Sequence, residues 1–221
     1  MADAIDSLFL ARARAQHLVP VLTLGDADIV VPLLDALVAA GVACVEVTLR
    51  DAEDALHLRL IAEHFPTLLV AAGGVTNETQ WKAAQAAQVS CITSPGATPL
   101  LYELSASTTT PWLPGVQTPT EIATALAAGY RVQRLFPAPL GGARAIRILT
   151  SAFPEARFLP MGVIDAEQWP DYLALPAVTA LAVTALTPPA LVVSGQWMEI
   201  TRRARSVLEN VQREAVVPVS L

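Results

Sequence analysis

Short uninterrupted apolar runs alternate along the chain with longer stretches whose apolar residues recur every three or four positions. Apolar runs bounded by glycine or proline read as buried strands, and the helical period reads as helix. The strands predicted in this way are 18–24, 42–50, 67–72, 89–93, 111–113, the stretch 131–138, 157–160 and 178–183. Helices are predicted at 2–15, 29–40, 52–64, 78–87, near 98–105, at 119–128, at 142–151, from Asp165, and at 197–214, with 215–221 a loose tail. Local signals agree with these boundaries. Asp26 or Asp28 and Asn77 can cap helix starts, Gly41 can end a helix, and Thr118 stands three residues before Glu121 as in a capping box. Pro114-Gly115 is expected to stop the fifth strand. Strands that alternate with helices pair in parallel. Eight such units in 221 residues imply an α/β fold, a closed eight-stranded parallel (β/α)8 TIM barrel with a short N-terminal helix. Nothing linker-like divides residues 1–221, so the chain reads as a single domain. A doubly wound open sheet is the alternative, but no G-x-G-x-x-G follows the first strand to support dinucleotide binding.

Composition changes this picture in three ways. Hydrophobic residues make up 53% and charged residues 15%, which allows a large core and suggests apolar surface covered in an oligomer. The formal net charge of -6 argues against nucleic acid or an anionic membrane as the partner. Cys44 and Cys91 lie in strand-like runs without metal-type spacing and read as buried reduced thiols, a disulfide being the alternative. The N-terminal residues lack the apolar core of a signal peptide, and no window approaches a transmembrane span, so the cytoplasm is the expected location.

The candidate chemistry sits on two strands. Arg131-Val132-Gln133-Arg134-Leu135-Phe136-Pro137-Ala138 carries an arginine near the C-terminal end of an apolar strand, ahead of Gly141-Gly142. α/β proteins place chemistry there; the alternative is an edge arginine with its head in water. In the second strand Ala43, Val45, Val47 and Leu49 share one apolar face, suited to the outer helices. Val42, Cys44, Glu46, Thr48 and Arg50 share the other, which points Glu46 and Arg50 into the barrel near its C-terminal mouth. If Arg134, on a face with Val132 and Phe136, also points inward, the three charges meet. Two readings stay open: a structural Glu46–arginine ion pair, or a proton-moving carboxylate beside arginines that hold a substrate carboxylate. His17 precedes the first strand, and His57 and His64 share an outer helix face and are expected to face solvent, so no metal site is expected. Trp81, Trp112, Trp169 and Trp197 read as packing or interface residues.

Taken in order, Glu46-Val47-Thr48-Leu49-Arg50, Ala72-Gly73-Gly74-Val75, Ser94-Pro95-Gly96, Leu113-Pro114-Gly115 and Leu135-Phe136-Pro137-Ala138 with Gly141-Gly142 resemble the motifs of the 2-keto-3-deoxy-6-phosphogluconate (KDPG) and 4-hydroxy-2-oxoglutarate (KHG) aldolases. The resemblance covers residues 18 to 184 or so. It implies a homotrimeric barrel that cleaves 2-keto acids to pyruvate and an aldehyde, a small-molecule 2-keto acid or carboxylate as partner, and no cofactor. In that family a strand-six lysine forms a Schiff base, the motif glutamate moves protons, and the motif arginine and a strand-three threonine hold the pyruvate carboxylate. Glu46 and Arg50 match. Gly74 stands at the threonine position and Arg134 at the lysine position. The resemblance thus implies Glu46 and Arg134 as catalytic residues and Arg50, Gly74, Pro95, Phe136 and Thr184 as substrate-binding ones.

A guanidinium stays protonated and delocalised and cannot form an imine. Lys82, the only lysine, falls on a helix expected outside the barrel. The glycine-rich phosphate turns of the family are thinned here to Gly162 after the seventh strand and none after the eighth, where Thr184-Ala185 stand, and Asp165 adds a negative charge while able to serve as a helix cap. Three functions follow as expectations: an imine-free 2-keto-acid lyase, an inactive relative that binds a small carboxylate, or a scaffold subunit.

Overall fold

The computed structural model describes residues 7–216. Its elements run α1 Leu8–Gln16, β1 Leu18–Leu22, α2 Ala27–Ala39, β2 Cys44–Thr48, α3 Ala52–His64, β3 Leu69–Gly73, α4 Glu78–Ala86, β4 Cys91–Thr93 and α5 Pro99–Ala106. They continue with β5 Trp112–Leu113, β6 Gly115–Val116, α6 Pro119–Ala127, β7 Val132–Leu135, α7 Gly142–Ala152, β8 Arg157–Pro160, α8 Trp169–Leu173, β9 Leu181–Val183, α9 Pro189–Val193 and α10 Trp197–Val216. This is an α/β fold with a parallel sheet curled into a half-barrel. One sheet runs β5-β4-β3-β2-β1-β9 and a second runs β6-β7-β8. Isolated parallel bridges Phe158↔Val178 and Met161↔Ala182 connect the second sheet toward β9.

The expected single fifth strand is two short ones. Pro114 separates β5 from β6, because a proline ring has no N–H to give the ladder. Its carbonyl still accepts from Arg134 N–H at 2.9 Å, and pairing with β7 resumes at Gly115↔Arg134. The expected stop at Pro114-Gly115 is therefore an interruption. The helix α9 was not legible, and the predicted eighth strand is shorter, with Val178 in a bridge outside it. Residues 1–6 and 217–221, which include parts of the predicted leading helix and tail, lie outside the described residues, and α10 continues through Val216.

Two apolar layers position the site. Val45, Val47 and Leu49 pack outward with Leu33, Leu34 and Leu37 of α2, as alternation predicts. Val42 joins that outer layer as well, because β2 begins only at Cys44. Cys44 faces inward with Val19, Val21, Ala71, Cys91, Leu113, Val132 and Leu159. Phe9, Leu10 and Ala13 of α1 complete this inner layer. The Gln16 side chain fastens α1 to the sheet, donating to the carbonyls of Leu18 at 2.6 Å and Cys44 at 3.2 Å and accepting from Ala43 N–H at 2.7 Å. Those partners lie at the beginnings of β1 and β2. The leading helix thus closes the N-terminal end of the strands and leaves the C-terminal end for a site. Trp81 and Trp112 are buried and meet edge to face with centroids 5.8 Å apart, which bears out their packing role.

Candidate functional site

Glu46 in the middle of β2 and Arg134 in β7 are 88 residues apart in sequence and form an ion pair between Oε2 and Nη2. Both side chains are 2% exposed, so Arg134 is not an edge arginine with its head in water. The same Nη2 lies 3.4 Å from Thr93 Oγ1 at the end of β4, while Nη1 is buried without a hydrogen-bond partner. Gly73 makes room for the carboxylate: a Cβ there would stand 2.7 Å from Cγ and Cδ of Glu46. A glycine is needed in β3 because a neighbouring strand's side chain lies across it. Cys91 is fully buried near the pair, and burial together with the Glu46 charge pushes its thiol up. Burial pushes the Cys44 thiol up to about 12. Both cysteines are free and buried, and neither is a thiolate nucleophile at neutral pH.

Arg50 does not join this pair, contrary to the expectation from strand alternation. β2 ends at Thr48, so alternation no longer directs residue 50. Its Nε donates to Asp54 Oδ2 at 3.1 Å, its Nη2 to Asp54 Oδ1 at 3.2 Å and to the Leu24 carbonyl at 2.6 Å. The Arg50 side chain is 50% exposed, whereas that of Asp54 is 1% exposed. Burial pushes the Asp54 carboxyl up, but hydrogen bonds from the Arg50 side chain and backbone more than offset it and hold the group below the usual carboxylate range. Asp54→Asn is expected to cost about 1 kcal/mol at pH 7, since one partner of the charged hydrogen bonds is half in water. A depressed carboxyl stabilises the fold above its unfolded value and loses that contribution as pH falls through the folded one. Urea midpoints of wild type and Asp54→Asn should draw together below about pH 4. A gap that stays constant there would mean that the Asp54 charge is not what holds Arg50.

His57 corrects another expectation. It is 2% exposed, with both ring nitrogens unbonded and Nδ1 3.8 Å from Asp54 Oδ1. Three positions after Asp54 on α3, it shares that residue's buried face. His64 is exposed, as predicted. Among the described residues no three of His, Cys, Asp and Glu gather as a metal site would need. Lys82 lies on α4 with its side chain 68% exposed, 2.7 Å from Glu78 Oε1.

The other predicted site residues are dispersed around the strand ends. Gly74 follows β3 with φ +71, a conformation that a β-branched residue rarely adopts. Pro95 is exposed, and its backbone occupies the space that a side chain at Gly115 would take. Phe136 is half-buried after β7. Thr184 is exposed after β9 and lines, with Arg50, a cleft of about 450 Å³ at the end of β1. Val21 forms part of that lining and is the register partner of Glu46 on the neighbouring strand, while Glu46 and Arg134 themselves do not line the cleft. Gly162, at φ +144, packs against Pro139, where a Cβ would come 2.6 Å from Cδ. Asp165 precedes a short turn of 3-10 helix at Ala166–Gln168 but makes no side-chain cap.

Thr93, Gly73 and Asp54 were not assigned roles from the sequence. The spacing of Arg50 and Asp54, four residues apart at a helix start, was the signal available for one of them.

The family model for the KDPG and KHG aldolases matches residues 10–203. The chain belongs to the KDPG and KHG aldolase family. It is 36% identical over 197 residues to the 2-dehydro-3-deoxy-phosphogluconate aldolase of Pseudomonas aeruginosa, covering 89% of this chain and 90% of that one. It is 33% identical to the KHG/KDPG aldolase of Escherichia coli over 195 residues, 88% of this chain and 92% of the relative. Among solved structures, the KDPG aldolase of Legionella pneumophila, with pyruvate captured at low pH as a covalent carbinolamine intermediate, superposes with a TM-score of 0.86 at 30% identity. That match covers 90% of this chain and 97% of the Legionella chain. Among the described residues no helix is long and apolar enough to cross a membrane.

Proposed function

We propose that this family member cleaves a 2-keto acid to pyruvate and an aldehyde without an imine, using Glu46 and Arg134 in place of a Schiff-base lysine. The carrying observation is the buried pair of Glu46, in the middle of β2, and Arg134, one residue before the end of β7, with the unpartnered Nη1. In this reading the substrate's keto oxygen accepts from Arg134 Nη1. Glu46 takes the proton of the C4 hydroxyl as the C3–C4 bond breaks, leaving the aldehyde and a pyruvate enolate. The guanidinium offsets the charge that develops on the enolate oxygen, and the proton returns from Glu46 to C3 to complete pyruvate. Arg50 holds the carboxylate from the rim, and Pro95, Phe136 and Gly74 bound the pocket. Arg134 stands at the lysine position of the family motif, and Lys82, exposed on α4, is badly placed to substitute for it.

The proposed frame is a closed eight-stranded barrel in which β5 and β6 are halves of one strand. The exposed Leu140, Ile148 and Val163 support a homo-oligomer, a trimer as in the family, and the buried thiols suit a cytoplasmic protein. A second reading, a carboxylate-binding protein without turnover, is favoured by the engagement of Glu46 Oε2 by Arg134.

Pyruvate release from phosphorylated and unphosphorylated 2-keto-3-deoxy sugar acids and from 4-hydroxy-2-oxoglutarate tests the proposal. Borohydride treatment with pyruvate, followed by intact mass, accompanies it. Turnover with no trapped adduct is expected. An adduct would place an imine on Lys82 and overturn the imine-free route. No turnover with a pyruvate-dependent rise in Tm would select the binding reading, and neither response would select the scaffold.

A further inference from the structure

We infer that the cleft beside β1 receives an uncharged aliphatic substituent, so that the preferred ligands are aldol adducts of pyruvate with aliphatic aldehydes, not with phosphorylated ones. The inference rests on the function proposed above and names its substrate class. The cleft holds about 450 Å³, enough for a small molecule's tail. Its walls are mainly aliphatic: Val21, Leu22, Ile29, Leu33, Val192 and Val193. Arg50 is the one charged residue of the lining; its Nε and Nη2 are engaged by Asp54 and the Leu24 carbonyl, and the proposed function commits the rest of the guanidinium to the substrate carboxylate, which leaves none of it for an anionic tail.

The start of α9 closes one side and is unsuited to an anion. A helix N-terminus holds phosphate through free N–H groups. Here its first helical residue and the one before it are Pro189 and Pro188, which have none. Pro189 itself lines the cleft. Thr23, Thr184 and Thr187 supply hydroxyls, which suit a hydroxylated carbon chain as well as water. Val21 lines the cleft and is the strand neighbour of Glu46, so a keto acid bound as in the proposed function would run its tail past Val21 between these walls.

Calorimetric titration of the full-length protein with pyruvate, 2-oxobutanoate, 2-oxopentanoate, 2-oxohexanoate and 2-keto-3-deoxy-6-phosphogluconate provides the test. Affinity should rise about three- to fourfold for each methylene added, the increment expected for burying one CH2. Val193→Asp changes a residue that is 88% exposed and lines the cleft, so the fold should tolerate it. It should leave pyruvate affinity unchanged and remove the dependence on chain length. Val192→Asp should repeat that result from the neighbouring wall position. Pyruvate binding with a flat series would overturn this inference while leaving the proposed function standing. Tightest binding of the phosphorylated acid, retained in Val193→Asp, would overturn it too. Failure of every keto acid to bind would overturn both.

Discussion

Arg134→Lys is expected to acquire a borohydride-trapped pyruvate adduct that the wild type lacks, and to cleave KDPG or KHG at least about 100-fold faster, the scale contributed by a positioned catalytic group. The argument is chemical. An imine needs a neutral amine with a lone pair, which a guanidinium cannot present and an ε-amine can. The surroundings act on the new amine in opposite directions. Burial disfavours its charged form, while the Glu46 carboxylate, which pairs with Arg134 in the wild type, favours it. Adduct formation should therefore increase with pH, as the neutral fraction grows, and this dependence can be followed by intact mass. The position is held by β7, whose ladder to β8 runs Val132↔Arg157 to Leu135↔Pro160, so the strand itself need not move to accept the shorter side chain. An Arg134→Lys variant that folds, binds pyruvate and forms no adduct at any pH would mean that the pocket is no longer shaped for the family's imine. An equal adduct on wild type would locate the nucleophile elsewhere.

The second large effect is on stability. Arg134→Met should destabilise the protein by about 3–5 kcal/mol, because it leaves the Glu46 carboxylate buried at 2% exposure without its partner. Glu46→Leu should cost a similar amount by stranding the guanidinium, whose Nη1 is already without a partner. For a chain of this size the fall in Tm should be about 10 °C. The double variant should recover most of the loss, since replacing both members of a buried pair by apolar groups of similar volume is close to neutral. Urea unfolding of the four proteins closes the cycle. A coupling near zero would show that each side chain is solvated or paired in another way. In the double variant lyase activity should be abolished while the fold is kept, which separates the two contributions of this pair.

Much of the fold could be read locally. The Thr118–Glu121 capping box forms as predicted, because its partners are three residues apart and the helix start creates the need for it. Asn77 accepts from Gln80 N–H at 3.0 Å for the same reason. The two faces of β2 sort as alternation requires wherever the chain is still extended, from Cys44 to Thr48. Errors begin where that extension ends. Val42 and Arg50, just outside the strand, were assigned by a period that no longer applied to them. Pro114 was read as a stop because its missing N–H is a local fact. That its neighbours could still pair with β4 on one side and β7 on the other is not local.

Local pattern along the chain was enough for the order and kind of most elements and for the parallel pairing. It also pointed Glu46 to an inward face and left open whether Arg134 turns inward or lies at an edge. These follow from hydrophobic period and turn chemistry, which act over a few residues. How the charges are shared depends on the packed elements. Glu46 took Arg134, from 88 residues away, while Arg50 was captured by Asp54 four residues on. Both arginines are forked donors and several carboxylates were available. Desolvation makes the interior pair obligatory for Glu46, and beyond the strand end the nearest helix carboxylate wins for Arg50. That choice depends on distances between elements, which no local pattern carries.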